Sequence, residues 1–192
     1  MEKVIIYLHG FLSSPQSQKA QQTLAYVTTH YPDILIEIPK LAHYPQAAVD
    51  LIEQLVKRHA GKKCHFIGSS LGGFLSTYMV QKFGGKAVVI NPAVKPYELL
   101  ADYMGAHVNP YTHEEFTLDA SHIEQLINLD VKTIEQVENF WVLLQTGDET
   151  LDYRQALDKY QGAKLTVEEG GDHSFQDFER FLPDIFRFLL QD

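Results

Sequence analysis

Ser70 lies in the stretch Gly68-Ser69-Ser70-Leu71-Gly72, a G-x-S-x-G spacing in which glycines bracket a hydroxyl. A chain that turns sharply from strand into helix at such a serine needs small residues on both sides, and the turn lifts the hydroxyl clear of the sheet. A serine hydroxyl is a weak nucleophile near neutral pH. It therefore requires a base within hydrogen-bond reach and a carboxylate that stabilises the resulting imidazolium. Gly170-Gly171-Asp172-His173 offers His173 as that base, behind two glycines that allow a tight loop. Thr146-Gly147-Asp148 offers Asp148 as the acid, with Asp152 of the same loop as runner-up, Asp172 as a loop-shaping residue and Glu149 as a minor candidate. The chemistry would be acyl transfer, and charge developing on a carbonyl oxygen needs preorganised donors. Two backbone amides are on offer, that of Leu71 directly after the serine and that of Phe11 in His9-Gly10-Phe11. Gly10 would let the chain approach closely, and His9 reads either as a brace for this loop or as an ordinary loop histidine.

These loops need a scaffold that gathers them on one edge. Apolar runs at 4–8, 34–38, 64–67, 87–90, 141–145 and 164–168 alternate with helical patterns, which predicts six strands in a parallel sheet with helices on both faces. Residues 17–30 suit one crossover helix. Residues 45–60 suit another, with Pro45 at the start, Gly61 after the end and Ala48, Val49, Ile52, Leu55 and Val56 on one face. A third runs from Leu71 to Phe83 before Gly84-Gly85, and Phe178, Leu182, Ile185 and Leu189 mark a C-terminal helix. The fifty residues between Ile90 and Trp141 exceed a simple crossover. Thr112-x-x-Glu115 and Thr133-x-x-Gln136 carry capping-box spacing there, so the expectation is one domain over 1–192 with a small helical cap inserted at about 92–140. Tyr97, Leu99, Leu100, Tyr103 and Met104 are candidate pocket residues of that cap, and packing in the core explains them equally well.

The chain order of serine, acid and histidine is that of the alpha/beta hydrolases and differs from the two common serine protease orders. The likeness extends further. Tyr7-Leu8-His9-Gly10-Phe11 with Ser13-Ser14-Pro15, Gly68-Ser69-Ser70-Leu71-Gly72-Gly73, Asn91-Pro92-Ala93, Gln145-Thr146-Gly147-Asp148-Glu149 with Leu151-Asp152-Tyr153, and Gly171-Asp172-His173-Ser174-Phe175 together resemble the YqiA-like family of small esterases. The resemblance implies an alpha/beta hydrolase fold and a compact bacterial cytosolic serine esterase. It would act on short to medium acyl esters, acyl thioesters included, through Ser70, His173 and Asp148. With its first apolar run leading straight into the His9-Gly10 loop, the chain is expected to lack the antiparallel strands that precede it in larger relatives.

Bulk properties narrow the partners. The 192 residues are 45% hydrophobic, enough for one compact core. Sixteen basic and twenty-five acidic residues give a formal charge of -9, which disfavours nucleic acid and anionic membranes as bulk electrostatic partners and suits small or neutral substrates, in keeping with the small-molecule ester or thioester that the resemblance implies. The only cysteine, Cys64, falls in a strand pattern and fits a reducing cytoplasm. No apolar stretch is long enough for a membrane span, and no Cys/His spacing suggests a metal or any cofactor. The competing expectation from another class is a noncatalytic hydrolase-like module that binds a ligand or protein, since a fold alone does not decide function.

Overall fold

The structure is a computed structural model that describes residues 2–191. The chain runs β1 (Lys3–Leu8), α1 (Gln18–His30), β2 (Leu35–Glu37), α2 (Pro45–Arg58), β3 (Lys63–Ser69), α3 (Leu71–Phe83) and β4 (Ala87–Ile90). It continues through α4 (Pro96–Leu100), β5 (Gly105–Val108), β6 (Glu115–Leu118), α5 (Ala120–Leu129), β7 (Phe140–Gln145), α6 (Tyr153–Lys159), β8 (Lys164–Glu168) and α7 (Leu182–Leu190). Six strands form one all-parallel sheet in the order β2-β1-β3-β4-β7-β8. All six expected strands and the four expected helices outside the 92–140 segment are present, most with ends shifted by a residue or two; Phe178 instead lies in a 3-10 turn at Phe178–Phe181, and α7 begins at Leu182.

The sheet is buried on both faces, which is why its central strands read as unbroken apolar runs rather than as alternation with polar residues. Side chains alternate across it. Val4, Ile6 and Leu8 of β1 point into a core shared with Val49 and Ile52 of α2 and Leu75 and Met79 of α3. Ile5 and Tyr7 point into the opposite core, shared with Val27 of α1 and Leu182, Ile185 and Phe186 at the C-terminus. The order of strands reverses around β1, whose neighbours are β2 on one side and β3 on the other. At such a switch point the loops after the two flanking strands part and leave a crevice at their carboxyl ends. The loop after β1 carries His9-Gly10-Phe11 and the turn after β3 carries Ser70.

The segment between β4 and β7 departs from the expectation in detail. It holds α4 and α5, and also an antiparallel ribbon in which Gly105 pairs with Leu118 and Val108 with Glu115. Neither Thr112 nor Thr133 starts a helix. Thr112 belongs to a turn closed by Asn109, whose Oδ1 accepts from the Tyr111 and Thr112 amides at 2.8 and 3.1 Å. The residues after it alternate exposed Glu115 and Thr117 with buried Phe116 and Leu118, a period of two that suits a strand. Thr133 precedes bends and a single 3-10 turn at Val137–Asn139. The capping box belongs to α5, where Asp119 Oδ1 accepts from the Ser121 amide at 2.9 Å and His122 Nδ1 accepts from the Asp119 amide at 3.0 Å. Histidine in the place of glutamate hides this start from a search for Ser/Thr-x-x-Glu/Gln.

Gly72, in the first turn of α3, meets the end of β1 so closely that a Cβ there would lie 1.9 Å from the Leu8 carbonyl oxygen. Replacing a helical glycine with alanine is worth about 1 kcal/mol in propensity, whereas overpacking against backbone costs about 1–3 kcal/mol or more. Gly72→Ala is therefore expected to lower unfolding free energy by about 2 kcal/mol, read as a drop in urea midpoint; an unchanged or higher midpoint would contradict this packing.

Candidate active site

Ser70 holds φ 54° and ψ −118°, a conformation that side-chain-bearing residues rarely adopt and that costs about 1–3 kcal/mol. Its surroundings over-determine it. The Ser70 amide donates to the Ile90 carbonyl at 3.0 Å, and its own carbonyl accepts from the Gly73 and Ala93 amides at 2.9 and 3.0 Å. Gly68 sits where a Cβ would fall 2.2 Å from the Gly72 carbonyl oxygen. The glycines thus let β3, the turn and α3 close on one another, and the serine is the residue left facing out.

His173 and Asp148 come from the loops after β8 and β7, two paired strands. His173 Nε2 stands 3.1 Å from Ser70 Oγ, and His173 Nδ1 stands 2.9 Å from Asp148 Oδ2. The Asp148 side chain is 2% exposed and that of His173 25%, so the relay runs from the interior outward. Burial pushes the Asp148 pKa up, but hydrogen bonds from the His173 ring and the Leu151 and Thr150 amides outweigh it and hold the carboxyl below its ordinary value. Both amides bond Asp148 Oδ1, at 2.8 and 2.9 Å. Asp152 stands elsewhere in the arrangement, as the N-cap of α6 accepting from the Arg154 amide at 3.0 Å. Asp172 bonds Gln176 Nε2, and Glu149 accepts from the His173 backbone amide at 3.0 Å.

Two buried amide side chains that the sequence reading assigned no role fasten these loops. Asn91 Nδ2 donates to the Asp172 carbonyl at 3.0 Å and the His173 carbonyl at 3.3 Å, while its Oδ1 accepts from the Gln145 amide. Gln145 Oε1 accepts from the Asp172 and Gln176 amides, at 3.3 and 2.8 Å. Both residues sit inside the quoted motifs, but only the folded chain shows that a side chain after β4 and one at the end of β7 meet the histidine loop.

The His9-Gly10-Phe11 loop lies against the elbow, with the position of a Gly10 Cβ 3.3 Å from Ser70 Cβ. Leu71 is the first residue of α3, so its amide has no intrahelical acceptor. His9 is buried, 5% exposed. The Leu41 amide donates to its Nε2 at 3.1 Å, which leaves Nδ1–H to donate to the Gly10 carbonyl at 2.9 Å. Burial pulls the His9 pKa down, the Gly10 bond opposes this and His43 adds to it. His9 is thus a neutral brace that reaches neither Ser70 nor Asp148 by hydrogen bond.

Two cavities open at Ser70. An apolar one of about 240 Å³ includes Leu12, Leu99, Leu100, Tyr103, Leu126 and Leu151 in its wall. Tyr97 instead packs at the core edge and donates to Asp130 Oδ2 at 3.2 Å, and Met104 is exposed outside the cavity. A polar cavity of about 610 Å³ lies toward α1 and the residues after His173. Phe11, Ser70 and His173 border both. His43 stacks on Phe116 of β6 with centroids 4.1 Å apart and meets Glu114, which also pairs with Lys40 at 2.6 Å. These contacts pin the ribbon beside the site. Among the described residues no cluster of three or more His, Cys, Asp or Glu could hold a metal, and no helix is long and apolar enough to cross a membrane.

A family model described as an uncharacterised protein family (UPF0227) matches residues 4–190. Among solved structures, a protein of Agrobacterium vitis S4 assigned to the hydrolases superposes with a TM-score of 0.79 at 16% identity, covering 98% of this chain and 88% of that one. The alpha/beta hydrolase domain-containing protein 10 from mouse gives 0.71 at 15%, covering 96% and 89%. The monoacylglycerol lipase of Paleococcus ferrophilus gives 0.70 at 14%, covering 97% and 93%. The fold is that of the alpha/beta hydrolases.

Two outcomes are expected from this geometry. Asp148→Asn should lower kcat on an activated ester by about 10⁴-fold, since the amide favours the wrong imidazole tautomer, while Asp152→Asn, still a good helix cap, should change it little; the reverse ranking in steady-state assays would move the acid. The His9 contribution to stability is fully present above the ordinary histidine pKa of about 6.5 and is lost as pH falls through its lower folded value. His9→Gln should therefore lose less stability than the unaltered protein between neutral pH and about pH 5, as measured by urea unfolding.

Proposed function

Given that the chain belongs to the uncharacterised protein family UPF0227, the YqiA-like family, we propose that it is a serine esterase hydrolysing short to medium acyl esters, acyl thioesters included, through an acyl-Ser70 intermediate. The observation that carries this reading is the continuous relay from Ser70 Oγ through His173 to Asp148, at 3.1 and 2.9 Å. His173 Nε2 accepts the Ser70 proton as Oγ adds to the substrate carbonyl, and Asp148, held ionised by its amide bonds, stabilises the imidazolium. The oxyanion is met by the Phe11 and Leu71 amides, each worth about 3 kcal/mol in the transition state. His173 then protonates the leaving oxygen or sulfur. Water, deprotonated by the same nitrogen, releases the acid from Ser70. Every group in this cycle comes from the chain itself, so the reading needs no cofactor.

Residues 92–140 act in this reading as a cap that walls the acyl pocket, supported by Leu99, Leu100, Tyr103 and Leu126 around the apolar cavity. A cavity of about 240 Å³ suits a short or medium acyl chain better than a long one. The Paleococcus ferrophilus lipase is named for a monoacyl ester, in keeping with this substrate type. A cytoplasmic location is part of the proposal, supported by the free, buried thiol of Cys64.

Ser70→Ala is the direct test. The unaltered protein should label with a fluorophosphonate probe and turn over nitrophenyl acetate, butyrate and octanoate faster than the palmitate; the variant should lose labelling and at least about 10⁴-fold of turnover. A folded protein that neither labels nor turns over any ester would instead be the noncatalytic binding module.

A further inference from the structure

We propose that the leaving group of the natural substrate is a neutral, polyhydroxylated alcohol, seated in the polar cavity with Lys19 and Asp172 as its recognition pair. This rests on the serine esterase reading and assigns the half of the substrate that reading leaves open. The carbon attacked by Ser70 carries an acyl arm and a leaving oxygen, and two cavities of opposite character meet at Ser70 and His173. The apolar one takes the acyl chain. The remaining arm must enter the polar one, about 610 Å³ in volume and so large enough for an alcohol of several carbons.

Its wall mixes donors and acceptors. Ser13, Lys19 and Gln22 come from the β1–α1 loop and α1, and Asp172, Gln176 and Glu179 from the segment after β8. Lys19 Nζ donates to the Ser174 carbonyl, which uses one of its three protons. Asp172 Oδ2 is occupied by Gln176 Nε2 at 2.9 Å, while Asp172 Oδ1 is buried with no hydrogen-bond partner, an orphan acceptor that a donor from the ligand would satisfy after a small rotation of the carboxylate. Lys19 and Asp172 line the same cavity, where burial lowers the Lys19 pKa and the Asp172 charge raises it. A hydroxyl both donates and accepts, so a polyol complements such a wall, whereas a plain alkyl alcohol leaves its groups without partners. Asp172, Asp177 and Glu179 oppose the single lysine, so the cavity repels an anionic leaving group.

The reaction closes in atoms and protons. The Ser70 Oγ–acyl bond forms, the bond from the acyl carbon to the alcohol oxygen breaks, and the serine proton passes through His173 Nε2 to that oxygen; water then returns the serine and yields the acid.

The test compares substrates with one acyl chain. Glycerol mono-octanoate should exceed ethyl octanoate in kcat/KM by about tenfold or more, and octanoyl-coenzyme A should fall below the uncharged octanoyl-N-acetylcysteamine thioester. The glycerol-to-ethyl ratio should drop toward unity in Lys19→Met and in Asp172→Asn, and Gln22→Ala, in the α1 part of the same wall, should lower it as well. A ratio near unity in the unaltered protein, a ratio unmoved by all three variants, or preference for the coenzyme A thioester would overturn the proposal. Fluorophosphonate labelling and nitrophenyl octanoate turnover are run in parallel. If both are positive and the preference is missing, the leaving-group assignment alone fails; if both are negative, the esterase reading fails and takes this one with it.

Discussion

The geometry around Ser70 depends on backbone approaching backbone. A parallel sheet keeps its strands at hydrogen-bonding distance, yet here the end of β1, the turn after β3 and the first turn of α3 are drawn nearer than any side chain allows. Gly10, Gly68, Gly72 and Gly73 supply the clearance, with a Cβ at Gly73 lying 2.7 Å from Pro92 Cβ. Three consequences follow from this one contact. Ser70 is forced into its strained turn, the Leu71 amide is left at the helix start without a partner, and the Phe11 loop is brought beside it. The strain is local, while the packing that maintains it is spread over both halves of the sheet.

The histidine side of the site repeats this approach once, with a Cβ at Gly147 falling 2.4 Å from the Gly171 carbonyl oxygen, and adds a different principle. Its position comes from polar side chains buried far from it in sequence. Asn91 and Gln145 reach the loop from below, and Glu149 accepts its His173 amide from the side. Because these bonds end on backbone, they fix the path of the chain, while the imidazole takes its orientation from Asp148 and Ser70. Buried amides that satisfy their own donors and acceptors in this way add rigidity without adding charge.

Much of this was legible in the chain. The six strands showed as short apolar runs because both faces of the sheet are covered, and the glycine-flanked ends of those runs showed where the loops emerge. Asp148 was favoured over Asp152 from its place directly after β7, and the folded chain brings Asp148 to His173 and uses Asp152 as a helix cap. Less could be read where tertiary contacts decide local structure. Glu115 to Leu118 has helical capping spacing before it and strand alternation within it, and pairing with β5 selects the strand. His122 completes a capping box that needs a histidine tautomer rather than a carboxylate. The partners of Asn91, Gln145 and His43 lie tens of residues away, so no window along the chain displays them.

The segment between β4 and β7 leaves the sheet and returns to it at adjacent strands, with Ala87 paired to Phe140 and Ile90 to Leu143. Its two ends are therefore fixed side by side whatever lies between them, and doubling the length of such an excursion adds only about 0.6 kcal/mol of closure entropy. The loops bearing Ser70, Asp148 and His173 ride on the sheet and do not depend on that length. An insertion or deletion at that one address would redraw the wall of the apolar cavity and leave Ser70, His173 and Asp148 where the sheet holds them.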